Sequence, residues 1–547
     1  MPLLPPVDSL SLPEQVAQMV VVRASGYLFD QQIQYPAWEP PTDTLQEWVN
    51  EWGVGGVILL GGSAAELALR SQQLQDWATI PLLVAADVEE GVGQRFAGAT
   101  WFPPPMALGA IAQTDPEQAC QLATAMGRAI AKESCAVGLN WVLAPVVDVN
   151  NNPQNPVINV RAFGDQPEQV STLATAFLQG MQDHPILACA KHFPGHGDTA
   201  TDSHLSLPLI SQDRARLHQL EWHPFRAMVA ANVDAVMSAH LLIPSLDRLY
   251  PATLSPRILE GELRQQMGFD GLIVTDALVM GAIANGYGAN EAPVLAVEAG
   301  ADILLMPLDP VGAIQAVVEA VETGRIGRDR IRASVARIWR AKHKVVTTSL
   351  SGDSSHTWET LPMPRIDAKS LTTQLAQPDA LDVNEAILKA SMQVHAVPSF
   401  ELPEGTQNLL IVDDALNCDF LTHQSPAIAL PRRWGCTLRV CDATSSMERM
   451  AQASDTAPPT LLQLFIRGNP FRGSAGLNQM AQHWVEQLLR DNRLQAVLIY
   501  GSPYLLQEFQ PKLVSHIPCV FTYGQTDTAQ ALALQTIYRE CKIPQGG

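Results

Sequence analysis

In Ile186-Leu187-Ala188-Cys189-Ala190-Lys191-His192-Phe193-Pro194-Gly195-His196-Gly197-Asp198-Thr199-Ala200-Thr201-Asp202-Ser203-His204, an apolar run is joined to a dense set of ionisable groups. The run Ile186 to Ala190 reads as a buried strand. It ends in a cation and an imidazole, and a Pro/Gly-punctuated loop follows, carrying two more histidines and two aspartates. A strand that ends this way delivers reactive groups to one edge of a sheet, on a loop built to move.

The rest of the first two thirds repeats the arrangement. From residue 12 onward, short apolar runs alternate with longer amphipathic stretches, the mark of βα units around a parallel sheet. The runs are Gln18–Val22, Gly56–Leu60, Leu82–Ala86, Trp141–Val147, Leu187–Lys191, Ala235–Ala239, Leu272–Thr275 and Asp302–Met306. Ala64–Ala78, Pro116–Val137, Pro167–Gln182, Gln212–Ala231, Pro256–Met267 and Ala292–Ala299 supply the crossover helices that parallel strands require. Eight such units predict an α/β fold of the TIM-like (β/α)8 barrel type. Polar residues collect at the C-terminal ends of these runs, as barrel enzymes require: Asp87, Asp148 with Asn150, Lys191-His192, His240 and Asp276. Any one of them alone could equally cap the next helix or satisfy a strand-end backbone group.

A barrel over residues 1–345 leaves a linker at 346–380, rich in Ser, Thr, Pro, Asp and Gln, and a second domain at 381–547. There Asn408–Val412, Thr437–Cys441, Leu461–Phe465, Ala496–Tyr500 and Cys519–Tyr523 alternate with helical stretches, which predicts a smaller α/β sandwich domain with a mostly parallel sheet. It has no Gly-rich phosphate loop and reads as a packing partner.

Composition narrows the function classes. With 47% hydrophobic and 16% charged residues in 547, the chain is globular, and no apolar run approaches the roughly 20 residues of a membrane span. A formal net charge of −20 argues against nucleic acid as a partner. The N-terminal segment lacks a basic n-region, so a cytoplasmic location is expected. The eight cysteines show no CxxC spacing and read as reduced thiols. Oligomeric state stays open.

Three constellations carry chemistry. In an extended Asp202-Ser203-His204, residues two apart share a side, so the carboxylate can orient the imidazole and raise its pKa toward a general acid/base role. Asp276, just past Leu272–Val274, is placed to be a nucleophile, or only a helix N-cap. Asp87 and Arg161, with Lys191 and His192, could bind sugar hydroxyls and an amide. A metal site built from His192, His196, Asp198, Asp202 and His204 is disfavoured: Lys191 would repel the cation and no helical ligand pair is present.

Taken together, Lys191-His-Phe-Pro-Gly-His-Gly-Asp-Thr199 followed by Asp202-Ser-His204, Ile273-Val-Thr-Asp276, the Asn155-Pro-Val-Ile segment leading to Arg161, and the Pro103-Pro-Pro-Met-Ala-Leu-Gly-Ala110 turn resemble glycoside hydrolase family 3 and, within it, the bacterial β-N-acetylhexosaminidases. The resemblance spans both domains. It implies retaining hydrolysis of terminal β-N-acetylglucosamine through a covalent glycosyl-enzyme, with Asp276 as nucleophile and Asp202 with His204 as acid/base dyad. It also implies that Asp87, Arg95, Arg161, Lys191 and His192 hold the sugar, that a GlcNAc-containing glycan such as a muropeptide of peptidoglycan recycling is the substrate, and that neither metal nor organic cofactor takes part. One departure stands in Asp87-Val-Glu-Glu-Gly-Val-Gly-Gln-Arg95, where relatives have Gly and Arg in place of Glu90 and Val92. The alternatives are a β-glucosidase, a β-N-acetylglucosaminide phosphorylase, or a non-catalytic sugar-binding protein on the same scaffold. The β-glucosidase branch takes its acid from a second-domain Glu; here Glu486, Glu508 and Glu540 fall in helical stretches.

Overall fold

The computed structural model describes residues 4–199, 207–346, 368–395, 402–442, 444–445, 458–467, 475–513 and 516–539. These fall into two compact units. One comprises residues up to 105 and 112–383, the other 384 onward together with 106–111.

In the first unit β1 (Val20–Ser25), β2 (Gly56–Leu60), β3 (Leu83–Ala86), β4 (Trp141–Val142), β5 (Leu187–Phe193), β6 (Ala235–Ser238), β7 (Leu272–Val274) and β8 (Leu304–Leu305) lie parallel in the order β7-β6-β5-β4-β3-β2-β1-β8. The ring closes between β7 and β8, where Val274 and Ile303 form a parallel bridge and Thr275 N donates to Ile303 O at 3.0 Å. The expected TIM-like barrel is present. Its strands read as continuous apolar runs because both faces are covered, one by the barrel interior and the other by helices. The helices start where the sequence places caps: Ser63 and Glu66 form a reciprocal capping box, and Asp115, Asp213 and Asp309 accept from first-turn amides.

Two strands depart from their sequence reading, for identifiable reasons. Trp141–Val147 keeps regular pairing only over Trp141–Val142, because Pro145 has no N–H to give the ladder. Its carbonyl still accepts from Lys191 N at 3.2 Å, and Val147 N donates to Lys191 O at 2.8 Å. β5 runs two residues past Lys191. Its register against β6 slips between Lys191 and Phe193, so that His192 is the extra residue of a bulge.

At the opposite end of the barrel, buried Asp302 accepts from Arg264 at 2.6 Å, Arg330 at 3.2 Å, Arg337 at 3.4 Å and Ser334 at 2.6 Å, and from Ile273 N at 3.1 Å. It ties the last helix, Arg328–Val346, to the entrance of β7 and β8. Within the stretch read as linker, Ala368–Gln374 is helical, and Glu133 accepts from Ala376 N at 2.8 Å, docking that turn on the helix Pro116–Ala136.

In the second unit β9 (Gln393–His395), β10 (Gln407–Val412), β11 (Thr437–Cys441), β12 (Thr460–Ile466), β13 (Leu494–Gly501) and β14 (Cys519–Thr522) form one sheet in the order β11-β10-β12-β13-β14-β9. All neighbours are parallel except β9, which runs antiparallel to β14. Its core stacks Phe420 on Phe465 at 5.5 Å and Phe465 on Tyr500 at 4.3 Å between ring centroids. Buried Tyr500 Oη donates to Gln463, whose amide in turn donates to Asn408 Oδ1 at 2.7 Å, so these three side chains pair with one another inside the core. Among the described residues no helix is long and apolar enough to cross a membrane.

Candidate active site

The polar strand ends meet at the C-terminal mouth of the barrel, and their centre is a residue that sequence reasoning passed over. Glu89, 3% exposed, accepts two hydrogen bonds from Arg161, Nε at 2.9 Å and Nη2 at 2.8 Å. Its Oε1 also lies 2.6 Å from Lys191 Nζ. Lys191 Nζ donates in addition to Asp87 Oδ1 at 2.7 Å. Burial alone would raise the Glu89 carboxyl's pKa, but Arg161 and Lys191 outweigh it and hold the group well below the usual carboxylate range. The cations respond in kind: burial opposes their charge, yet the carboxylates beside them push the pKa of both Lys191 and Arg161 upward.

Asp87 is the half-exposed member, with 36% of its side chain open to solvent. A carboxylate anchored by one lysine contact and otherwise open is free to accept hydrogen bonds from a ligand's hydroxyls. Glu89 stands two residues on in the chain, and its guanidinium partner comes from a short 3-10 turn, Asn159–Arg161, which brings Arg161 to the mouth. Arg95, by contrast, is exposed, and its Nε donates to the main-chain carbonyl of Asp87 at 3.1 Å rather than joining the cluster.

Asp148, at the end of β4's chain segment, is the second organiser. Fully buried, it accepts from His192 N at 3.2 Å and His196 N at 2.7 Å, and its Oδ2 lies 2.8 Å from His192 Nδ1. A ring whose Nδ1–H faces a carboxylate keeps Nε2 for a ligand. Burial raises the Asp148 pKa, and the neighbouring His192 and His196 reverse that to a net lowering. The bulge at His192 takes its amide out of the ladder and gives it to Asp148.

The loop after β5 is clamped in its first half. Asn155 Nδ2 donates to His196 O at 2.8 Å and Gly197 O at 2.9 Å, while Asn155 Oδ1 accepts from Val157 N and Ile158 N. Gly197 packs so closely that a Cβ would stand 1.7 Å from Val149 O. His196 is buried and lies 3.0 Å from Thr199 Oγ1; burial, only partly offset by Asp148, lowers its pKa to about 4. Asp198 accepts from Gln212 at 3.0 Å. Both residues, read from sequence as candidate metal ligands, are engaged in holding the loop. Asp202 and His204 lie outside the described residues.

Asp276 sits half-buried after β7, its Oδ1 accepting from Ala277 N at 2.8 Å. His240, from the end of β6, fixes the same turn: its Nε2 donates to Ala277 O at 3.0 Å, and Nδ1 lies 2.8 Å from Thr253 Oγ1. The structure thus joins Asp87, Arg161 and Lys191 through Glu89 in one network, holds His192 beside it on Asp148, clamps the following loop with Asn155, and sets Asp276 on the neighbouring rim. Glu89 could have been found from its place two residues beyond Asp87, at the start of the turn that follows β3. Asp148 was visible as a strand-end residue, but its role rests on the approach of the β5 bulge, which no local pattern announces.

A closed parallel barrel with buried ion pairs, imidazoles and a half-open carboxylate gathered at one mouth is the layout of a barrel enzyme acting on a small polar ligand. Residues 11–341 match the family described as glycosyl hydrolase family 3 N terminal domain, and residues 400–539 match the bacterial glycosyl hydrolase family 3 C-terminal domain. A β-hexosaminidase A of Pseudoalteromonas piscicida is 30% identical over 502 residues, covering 84% of this chain and 79% of its own. A β-hexosaminidase of Thiobacillus denitrificans is 38% identical over 257 residues, 46% of this chain and 71% of its own. Among solved structures, a glycoside hydrolase family 3 β-N-acetylglucosaminidase from Paenibacillus sp. str. FPU-7 aligns over 98% of this chain and 100% of its own, with a TM-score of 0.77 and 29% identity. The chain belongs to glycoside hydrolase family 3, in its β-N-acetylhexosaminidase branch.

Proposed function

We propose that the protein is an exo-acting β-N-acetylglucosaminidase that removes terminal β-GlcNAc with retention of configuration, its physiological substrate being a muropeptide of cell-wall recycling. The observation that carries this reading is the Asp87–Lys191–Glu89–Arg161 network beside His192. It presents a half-open carboxylate and fixed donors to a neutral, hydroxyl-rich ring, while its own charges are balanced internally. Asp276 on the next rim acts as nucleophile, attacking the anomeric carbon as the aglycone oxygen leaves. Asp202 and His204, which the resemblance assigns as acid/base, give that oxygen its proton and then take one from the attacking water. Arg95 contributes through the Asp87 main chain, and no metal or organic cofactor is required for any step. The β-glucosidase reading is less well supported: Glu486 and Glu508 lie inside the helices Ala475–Arg490 and Pro503–Phe509.

The test compares release from aryl β-GlcNAc and aryl β-glucoside, each with and without phosphate. The reading expects preference for β-GlcNAc and water as acceptor. Preference for the glucoside refutes the substrate class, and a sugar phosphate as the main product refutes hydrolysis.

A further inference from the structure

Beside Asp276 the mouth carries a feature that the network just described does not use. The chain between β1 and the helix Thr42–Asn50 rises over the strand ends and displays Tyr35 and Trp38, 44% and 38% exposed, with ring planes 19° apart and centroids at 6.1 Å. Arg23, from β1, reaches both rings, its Cζ 5.0 Å from the Tyr35 centroid and 5.4 Å from that of Trp38. Buried Glu39 accepts from Arg23 Nε at 3.1 Å and Nη2 at 2.9 Å, so the rings rest on a fixed ion pair rather than a loose loop.

Below them is a cavity of about 140 Å³, lined by Arg23, Trp38, Trp48, Val279, Met306 and Leu308 among others. Its floor is continuous with the turn that bears Asp276. Leu278 N donates to Leu305 O at 2.9 Å, Val279 N to Met306 O at 3.1 Å, and Met306 N to Val21 O at 2.8 Å. The turn after β7 is thereby stitched to β8 and β1, the strands under the aromatic pair. Leu308, 50% exposed, stands at the rim.

We propose that this cavity and the Tyr35–Trp38 pair form the subsite for the sugar ring on the leaving-group side of the scissile bond. The inference rests on the function proposed above. A pyranose has an apolar C–H face and a polar edge, and this site offers aromatic faces, an aliphatic wall and a guanidinium–carboxylate pair beneath. At about 140 Å³ the cavity is smaller than pockets that enclose a whole small ligand, and it suits part of one ring rather than an extended chain. The subsite sets preference among glycan substrates and leaves bond cleavage to the groups around Asp276.

The experiment measures GlcNAc release from N,N′-diacetylchitobiose and from methyl β-N-acetylglucosaminide, whose aglycone does not extend to the rings, with wild type, Trp38→Ala and Trp38→Phe. Trp38→Ala is expected to raise KM for the disaccharide about five- to tenfold and to leave the methyl glycoside within twofold. Trp38→Phe restores most of the difference. Equal effects on the two substrates, or none on the disaccharide, overturn the subsite. Wild type that cleaves neither substrate removes the functional reading, and this inference with it. Should Trp38→Ala fail to fold, Tyr35→Ala and Leu308→Asp, both at exposed positions, carry the same comparison.

Discussion

Glu89 is the hub of the network, while Asp87, its better-exposed neighbour, makes a single ion pair. Replacing Glu89 by Gln keeps the shape and removes the charge, leaving Lys191 and Arg161 as adjacent buried cations. Breaking a buried pair in this way costs about 3–5 kcal/mol. Glu89→Gln is therefore expected to lower kcat/KM at least about 100-fold and to lower the melting temperature as well; wild-type values for both would remove Glu89 from the centre of the site. His196 gives a pH signature. Its folded pKa of about 4 lies below the ordinary 6.5, so between those values the unfolded chain binds a proton that the folded chain does not. Stability is thus unaffected by this group above the ordinary value and falls as pH drops from 6.5 toward 4. At pH 5 the loss is about 2 kcal/mol. Denaturation at pH 7.5 and pH 5 should show a smaller acid loss in His196→Asn than in wild type, and equal losses would show that His196 is not held neutral. The residue types at the mouth were legible in the chain; which of them serve as hubs was not, because Glu89 and Asp148 owe their roles to partners 72 and 44 positions away.

At the scale of elements, strands were legible wherever apolar runs were unbroken, and boundaries slipped where backbone chemistry intervened. Pro145 shortens β4, and the bulge lengthens β5 while turning the His192 amide to Asp148. The short strand β9 escaped notice because it is half-exposed, and its three residues carry too little pattern to register. The loop after β5 combines both lessons. Its glycines read as hinges, yet Gly197 is packed against Val149 O and Asn155 clamps its neighbours. Gly197→Ala cannot be accommodated without moving that backbone, so Lys191 and His192 upstream should lose their alignment. Activity is expected to fall by an order of magnitude or more, with the loss mostly in kcat/KM; an active Gly197→Ala protein would show that the clamp is dispensable.

For the molecule as a whole, the division of labour in the barrel is axial. The C-terminal mouth gathers the ionic groups of the site, and the opposite end is fastened by Asp302 and the last helix. That helix also carries Lys342, fully buried, donating to Gln18 Oε1 at 2.6 Å, with burial lowering its pKa to about 7. Here the unfolded state binds more protons between pH 7 and the ordinary 10.5, so wild-type stability gains from this group as pH rises through that window. Lys342→Met removes the penalty of up to about 4 kcal/mol at pH 7 and loses the Gln18 bond, worth roughly 1–3 kcal/mol if Gln18 is left unpaired. The variant should therefore be more stable than wild type at pH 7, with the advantage disappearing by pH 10; a constant difference across that range would contradict a titrating Lys342. Fold class and family were readable from strand order and motif, since both are written locally along the chain. Covalent catalysis by Asp276 is checked by incubating the enzyme with a slow fluorinated N-acetylglucosaminyl donor, measuring intact mass and mapping the labelled peptide. One added sugar is expected, carried on Asp276 and absent in Asp276→Ala; turnover without any adduct, or an adduct on another residue, would show that Asp276 is not the nucleophile.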